Sequence, residues 1–126
     1  PDIILMASGS EVHIISRAAG ELEDAGFHTR VVSMPSWELF EKQPVEYREK
    51  VLPHSVRARV AVEAASSLGW ERYTGIDGRI ISIDHFGASA PGNVLFEEFG
   101  FTVDNIVKSA VDMINELNNK EDKYNG

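Results

Sequence analysis

The chain has 126 residues, 43% of them hydrophobic, which is enough for one compact domain with a buried core and short for two. Its 20 acidic residues against 12 basic ones give a formal net charge of −8, which argues against a basic groove for DNA or RNA. The absence of cysteine excludes disulfides and thiolate metal sites. Apolar runs fall short of the roughly 20 residues that a membrane helix needs, and the first residues lack a signal-peptide pattern, so we expect a cytoplasmic protein without a membrane partner.

The first part of the chain predicts a strand, a helix and a second strand. Residues 2–8 form an apolar run typical of a strand buried on both faces. Ser8 and Glu11 have the spacing of a capping box, and Gly26 supplies a C-terminal stop for the helix that follows. A second strand is predicted at about 28–34. The intervening helix has one apolar face, formed by Ile15, Ala18, Ala19, Leu22 and Ala25.

The middle of the chain predicts two short helices and two further strands. Ser36 can cap the first short helix, and Pro44 opens a second one that runs through Leu52. The stretches at about 58–63 and 79–83 are rich in β-branched residues and predict the third and fourth strands. The glycine-containing segment between them is predicted to be irregular.

The last part of the chain predicts two helices and a tail. A short helix is expected from Val94 to Phe99, and Thr102 can cap a longer final helix. Residues 119–126 are polar and unpatterned, so we expect a domain over 1–118 followed by a polar tail. The chain opens directly into an apolar run, and we therefore expect it to be cut from a longer protein. The final helix keeps an apolar face of Val103, Ile106, Val107, Ala110, Ile114 and Leu117.

Strands that alternate with helices predict an α/β fold. We expect a three-layer sandwich in which a mostly parallel sheet of four to five strands carries helices on both faces. Four strands are few for such a sheet, so a further edge strand is expected upstream of the chain.

Ligands of open α/β sheets collect at the carboxyl ends of the strands. There the turn of Ser8, Gly9 and Ser10, together with Ser66, forms a candidate anion site, because a glycine lets the backbone approach a ligand and the helix amides point outward. The alternative is that the serines of this turn only cap the helix that follows.

The sequence offers no further motif for catalysis or metal binding. Asp84 and His85 are adjacent, but neighbouring residues on a strand point to opposite faces, and no G-x-S-x-G elbow is present. The four histidines lack the spacing that places two metal ligands on one helix face. We therefore predict no catalytic, cofactor-binding or metal-binding residue in this chain.

Two pairs of side chains are predicted to have structural roles. Trp37 and Trp70 are expected to fill the core or an interface. Arg57 and Arg59 could attract an anion, but in so acidic a chain they are expected to form ion pairs with nearby carboxylates.

Several stretches nevertheless resemble a known family. They are MPSWELFE at Met34–Glu41, VAVEAASSLGWERYTG at Val60–Gly75 and DHFGASAPGNVLFEEFGFT at Asp84–Thr102, together with ASGSEVHI near the start. In order and spacing they are similar to the C-terminal domain of transketolases over nearly the whole chain. The β subunits of 2-oxo acid dehydrogenases and the deoxyxylulose phosphate synthases share this domain but usually lack the PSWELF and GWERY strings, so transketolase is favoured.

This resemblance implies a homodimeric enzyme that transfers a two-carbon ketol unit between sugar phosphates in the pentose phosphate pathway. It implies thiamine diphosphate and a divalent metal such as Mg²⁺ as cofactors, bound by two upstream domains whose signatures cannot be carried onto this sequence. It also implies a five-stranded mixed sheet whose antiparallel edge strand comes from the upstream linker. We therefore expect this chain to be inactive by itself and to support the upstream domains and the dimer.

Two other functions stay open at this point. The chain could be a small anion-binding or nucleotide-binding regulatory module, as the serines at the strand ends suggest. It could also be a partner-docking domain, as in the dehydrogenase β subunits.

Overall fold

The computed structural model describes residues 1–9, 11–63, 69–82 and 102–125, with side chains as far as residue 120. The predicted short helix from Val94 to Phe99 lies outside these residues. Within them the chain forms four strands and five helices.

Strands and helices alternate, and all four predicted strands are present. Glu71–Thr74 is helical within a segment predicted to be irregular, which corrects that prediction. In chain order the elements are β1 (Ile3–Ala7), α1 (Glu11–Asp24), β2 (Thr29–Ser33), α2 (Trp37–Glu41), α3 (Val45–Val51), β3 (Arg59–Glu63), α4 (Glu71–Thr74), β4 (Arg79–Ser82) and α5 (Val103–Asn125).

The four strands form one parallel sheet in the order β2-β1-β3-β4. Leu5 of β1 lies opposite Val31 of β2 on one side and opposite Val60 of β3 on the other. The predicted α/β class is thereby confirmed. The antiparallel edge strand from upstream stays a prediction, because the described strands are parallel.

Strand β1 is buried along its whole length, as its unbroken apolar run predicts. Because side chains alternate along a strand, Ile3 and Leu5 face one side of the sheet, and Ile4 and Met6 face the other. Complete burial of such a side chain is worth about 1.5–3 kcal/mol. The two faces carry two separate hydrophobic cores, which gives the predicted three layers.

Helices α1 and α5 cover the first face and form an aliphatic core with it. The predicted apolar stripe of α1 is confirmed for Ile15, Ala18, Ala19 and Leu22, which are buried. It is wrong for Ala25, which is exposed beyond the end of the helix. α5 contributes Ile106, Ala110, Met113 and Leu117.

The end of α1 also follows the prediction. Gly26 has a φ of +97°, which a glycine adopts without strain, and its amide donates to the carbonyl of Glu23 at 3.0 Å. The amide of Phe27 donates to the carbonyl of Leu22 at 2.9 Å. This pair of bonds is a Schellman motif, which satisfies carbonyls at the helix terminus.

The start of α1 differs from the prediction. The helix begins at Glu11, and the hydroxyl of Ser8 donates to the carboxylate of Glu63 in β3. The predicted capping box of Ser8 and Glu11 is therefore wrong, because the neighbouring strand supplies a partner that local spacing cannot reveal.

The other predicted caps are confirmed. The amide of Leu39 donates to the Ser36 hydroxyl at 3.2 Å, and the amide of Asn105 donates to the Thr102 hydroxyl at 3.1 Å. α5 then continues to Asn125 through the polar segment expected to form a tail. The division of the chain at residue 118 stays a prediction. Among the described helices, none combines the length and the apolar character needed to cross a membrane.

Candidate functional site

The predicted anion site lies at the carboxyl ends of β1 and β3. These strands are neighbours, with Ala7 opposite Val62, so the residues that follow meet at the same edge. The Ser8 hydroxyl donates to Glu63 there. Ser10 and Ser66, the other two predicted serines, lie outside the described residues.

The described part of this edge is acidic. Glu11, the first residue of α1, is buried, and its Oε2 lies 3.6 Å from the position that a Cβ on Gly9 would occupy. Glu63 adds a second carboxylate beside Ser8. Two carboxylates repel an anion electrostatically. The anion site of Ser8, Gly9, Ser10 and Ser66 stays a prediction, and the described carboxylates oppose it.

Two other candidate sites from the sequence are an acid/base pair and a metal site. Asp84 and His85 lie outside the described residues. Within the described ranges, no three His, Cys, Asp or Glu side chains come close enough together to hold a metal ion.

The second face of the sheet is covered by α2, α3 and α4 and carries an aromatic cluster. Trp37 and Trp70 meet edge to face, with ring centroids 4.9 Å apart. Tyr73 lies 5.4 Å from Trp37 and 5.7 Å from Phe40. Trp70 is 1% exposed, which confirms its predicted packing role. Edge-to-face pairs of this kind add about 0.5–1.5 kcal/mol to the burial of the rings.

The packing of Trp37 requires a glycine at position 69, directly before Trp70. Its φ is +87°, and a Cβ placed on it would lie 2.7 Å from a ring carbon of Trp37. A side chain here would strain the backbone and push the Trp37 ring away. The PSWELF and GWERY strings are therefore two halves of one packed cluster.

A polar group borders this cluster. The Tyr73 hydroxyl donates to Glu41 Oε1 at 2.8 Å. The pKa of Tyr73 is raised above its ordinary value of 10.0, mainly by burial and secondly by this hydrogen bond. Glu41 also lies 3.5 Å from Arg48 and 3.8 Å from Arg72, so one carboxylate serves two guanidinium groups.

Among the described residues, Arg59 does not form the ion pair that was predicted for it. Its Nε donates to the carbonyl of Val56, its Nη1 to that of Tyr73 and its Nη2 to that of Pro53, each at 2.8 Å. Nη2 also lies 3.3 Å from the carbonyl of Leu52. Burial lowers the pKa of Arg59. The guanidinium thus caps the ends of α3 and α4, a role that no spacing in the sequence indicates.

Arg57, in contrast, forms the predicted ion pair. Its Nε and Nη2 donate to Asp77 Oδ2 at 3.0 Å and 2.7 Å. His54 and Glu49 form a further exposed contact, in which the His54 amide donates to Glu49 Oε1 at 2.8 Å and the ring meets Oε2. The hydrogen bond from the His54 amide is the main cause that lowers the pKa of Glu49, and the contact with the His54 ring is the second.

Comparison with known proteins identifies the family. Residues 1–102 match the family model described as the transketolase-like TK C-terminal domain. The chain belongs to this family. Its resemblance to the transketolase C-terminal domain, inferred from the PSWELF and GWERY strings, is thereby confirmed.

Individual transketolases are similar over most of the chain. The transketolase of Halalkalibacterium halodurans is 55% identical over 109 residues, which are 86% of this chain and 16% of that protein. The transketolase of Geobacillus stearothermophilus is 53% identical over 108 residues, again 86% of this chain and 16% of that protein. The chain therefore spans about a sixth of the length of these curated relatives.

Solved transketolase structures share the fold. The transketolase from Leishmania mexicana superposes with a TM-score of 0.82 at 42% identity, covering 91% of this chain and 16% of that chain. The transketolase from Campylobacter jejuni gives a TM-score of 0.77 at 39% identity, covering 88% and 17%. In this transketolase C-terminal domain, the two strings that favoured the family over its cousins serve the packing of α2 against α4.

Proposed function

We propose that this chain is the C-terminal domain of a transketolase and supports the domains that carry out the reaction. The observation that carries the proposal is the match of residues 1–102 to the C-terminal domain model, together with relatives of which the chain spans 16%. A small domain with two packed cores suits a supporting role.

The whole protein would transfer a two-carbon ketol unit between sugar phosphates, with thiamine diphosphate and Mg²⁺ or another divalent metal as cofactors. It would act as a homodimer in the cytoplasm. The transketolase names of the relatives support this assignment. Cofactor, metal and sugar phosphates would bind to the upstream domains, and this chain would be inactive alone.

An exposed apolar surface supports the docking of such neighbours. Leu39 of α2 is 61% exposed, and Val45 and Tyr47 of α3 are 66% and 50% exposed. We call these three residues the α2–α3 surface. Leu39 and Tyr47 also line a cavity of about 360 Å³ with Met34 and Phe40. Apolar groups grouped in this way on a domain surface mark interaction sites.

The test is assembly with the upstream domains of the same protein. We expect the purified upstream domains to bind this chain on a size-exclusion column and to gain transketolase activity and thermal stability when it is added. The double variant Leu39→Glu, Tyr47→Glu should weaken this binding, because it places two charges on the α2–α3 surface.

Ile76→Glu provides the matched control. Ile76 is apolar and 99% exposed but lies between α4 and β4 instead of on α2 or α3. Equal losses in the control and in the double variant would contradict docking through this surface. Stoichiometric binding of thiamine diphosphate with Mg²⁺ by this chain alone would contradict the assignment of the cofactor to the upstream domains.

A further inference from the structure

Positive charge is concentrated on one side of this acidic protein. Four of its seven arginines, Arg48, Arg57, Arg59 and Arg72, line two adjoining cavities of about 260 Å³ each. The cavities are contiguous because both are bordered by His54, Arg59 and Arg72. The first is formed by α2, α3 and α4, and we call it the arginine pocket.

The charge of Arg59 is fixed in place at the wall of the arginine pocket. Three of its nitrogen atoms donate to backbone carbonyls, which carry only partial charges. Among the described residues, Arg59 takes part in no ion pair with a carboxylate. Its guanidinium therefore remains a rigid positive charge beside the cavity.

Arg48 and Arg72 share a single counterion. Glu41 Oε2 lies 3.5 Å from Arg48, and Glu41 Oε1 lies 3.8 Å from Arg72. Both distances exceed the roughly 2.7–2.9 Å of a strong charge-assisted hydrogen bond. Glu41 is also occupied by the Tyr73 hydroxyl. The Arg72 side chain is 63% exposed, so its donors remain accessible to a ligand.

The pocket therefore carries a local excess of positive charge. Arg48, Arg59 and Arg72 face the carboxylates of Glu41 and Glu49, which leaves one net positive charge with neutral His54. Planar guanidinium groups match the oxygen atoms of a phosphate group, to which they donate paired hydrogen bonds.

The size of the pocket limits the ligand. Its volume of about 260 Å³ lies below the roughly 300–1,000 Å³ of cavities that hold drug-sized molecules. Phe40 and Val45 provide an apolar wall beside the charged groups. A phosphate group with a small organic part fits both the volume and the lining.

We propose that the arginine pocket, with Arg48 and Arg72 as its accessible donors and Arg59 as its fixed charge, binds the phosphate group of a small phosphorylated molecule. The carboxyl-end turn of Ser8 and Gly9 faces carboxylates instead. An anion should therefore bind in the arginine pocket, between α2, α3 and α4, and not at this turn.

The test is titration of the ¹⁵N-labelled chain with inorganic phosphate, followed by amide chemical shifts at constant ionic strength and pH. We expect saturable shifts at residues 48, 54 and 72, with a Kd of about 1 mM. Glycerol 3-phosphate is titrated in parallel. Tighter binding of this ester would identify a phosphorylated metabolite as the ligand, and equal binding would identify free phosphate.

Two variants make the test specific. The double variant Arg48→Gln, Arg72→Gln should weaken phosphate binding about a hundredfold, since each lost charge-assisted bond is worth about a factor of ten. Arg17→Gln removes a charge from the exposed side of α1 and should leave binding unchanged. Thermal unfolding of each variant verifies that the fold is retained.

Four results would overturn the proposal. The first three are the absence of saturable shifts up to about ten times the expected Kd, shifts that sodium chloride reproduces, and equal weakening by Arg17→Gln. Shifts confined to residues 8, 9 and 11 would also overturn it and would assign the anion to the carboxyl-end turn.

Discussion

The two faces of the sheet are stabilised in different ways. The face beneath α1 and α5 is aliphatic, and its side chains are buried without specific hydrogen bonds between them. The face beneath α2, α3 and α4 contains Trp70 and Tyr73, with Arg59 tied to the ends of two helices. Aliphatic burial is non-directional, whereas ring contacts and hydrogen bonds depend on geometry.

This contrast teaches that residues of equal size should be replaceable to different degrees on the two faces. Repacking can compensate for a changed aliphatic residue, because volume and apolar character are what matter there. A substitution on the aromatic face removes ring contacts or hydrogen bonds that depend on geometry, and repacking of the neighbouring side chains cannot restore them. Three substitutions, each with a partner elsewhere in the chain, test this difference.

The largest effect is expected for Gly69→Ala. The added Cβ would lie 2.7 Å from the Trp37 ring, at a backbone φ of +87°. Left-handed strain costs about 1–2 kcal/mol and overpacking about 1–3 kcal/mol, so the free energy of unfolding should fall by about 2–5 kcal/mol. Urea denaturation measures this loss.

Gly20→Ala is the matched control on the aliphatic side. Gly20 lies within α1 and has no atom within 4 Å of an added Cβ. Because alanine favours the helix, this change should stabilise the protein by about 0.5–1 kcal/mol. Effects of the same sign and size at both glycines would contradict the role of close packing at Gly69.

A smaller effect is expected for Arg59→Lys. A lysine keeps the charge but cannot reach the carbonyls of Val56, Tyr73 and Pro53 at once. Since each net hydrogen bond is worth about 0.5–1.5 kcal/mol, the unfolding free energy should fall by about 1–3 kcal/mol. Chemical denaturation again provides the measurement.

Arg57→Lys controls for the loss of a guanidinium two residues away. Arg57 is half-exposed and pairs with Asp77 on the surface, where an ion pair contributes about 0–1 kcal/mol. The change should have little effect. If it destabilises the protein as much as Arg59→Lys does, the carbonyl contacts are not what matters.

The smallest effect concerns alkaline pH and Tyr73. Its pKa is raised in the folded state, mainly by burial and next by its bond to Glu41, so the folded state holds the proton more tightly than the unfolded state. The resulting stability is fully present below the ordinary pKa of 10.0 and is lost as the pH rises above it. Tyr73→Phe should therefore make the decline of Tm above pH 10 shallower.

Tyr47→Phe is the comparison for this titration. Tyr47 is 50% exposed on the α2–α3 surface and lies outside the aromatic cluster. The decline of Tm with pH should stay as in the unchanged protein. An equal flattening in both variants would contradict a specific contribution from Tyr73.

Sequence patterns predicted the aliphatic face closely. The stripe of α1, the buried run of β1 and the stop at Gly26 follow from side-chain periodicity and from backbone preferences. These features depend on residues close together in the chain, which is why they could be read without a structure.

The family could also be inferred from the sequence, because the PSWELF and GWERY strings are specific combinations. Their role was less accessible. Trp37 and Trp70 are 33 positions apart, and their edge-to-face contact arises only when α2 and α4 pack on the same face of the sheet. The need for a glycine at position 69 follows from the position of the Trp37 ring in that contact.

The sequence by itself therefore determined the α/β class, the order of the four strands along the chain and the family. Only the tertiary structure decided that Ser8 donates to Glu63, that Arg59 donates to backbone carbonyls, and that four arginines line two adjoining cavities. The physical reason is that helices and strands follow local periodicity. The hydrogen-bond partners of polar side chains, in contrast, can lie far away in the sequence, and only folding brings them together.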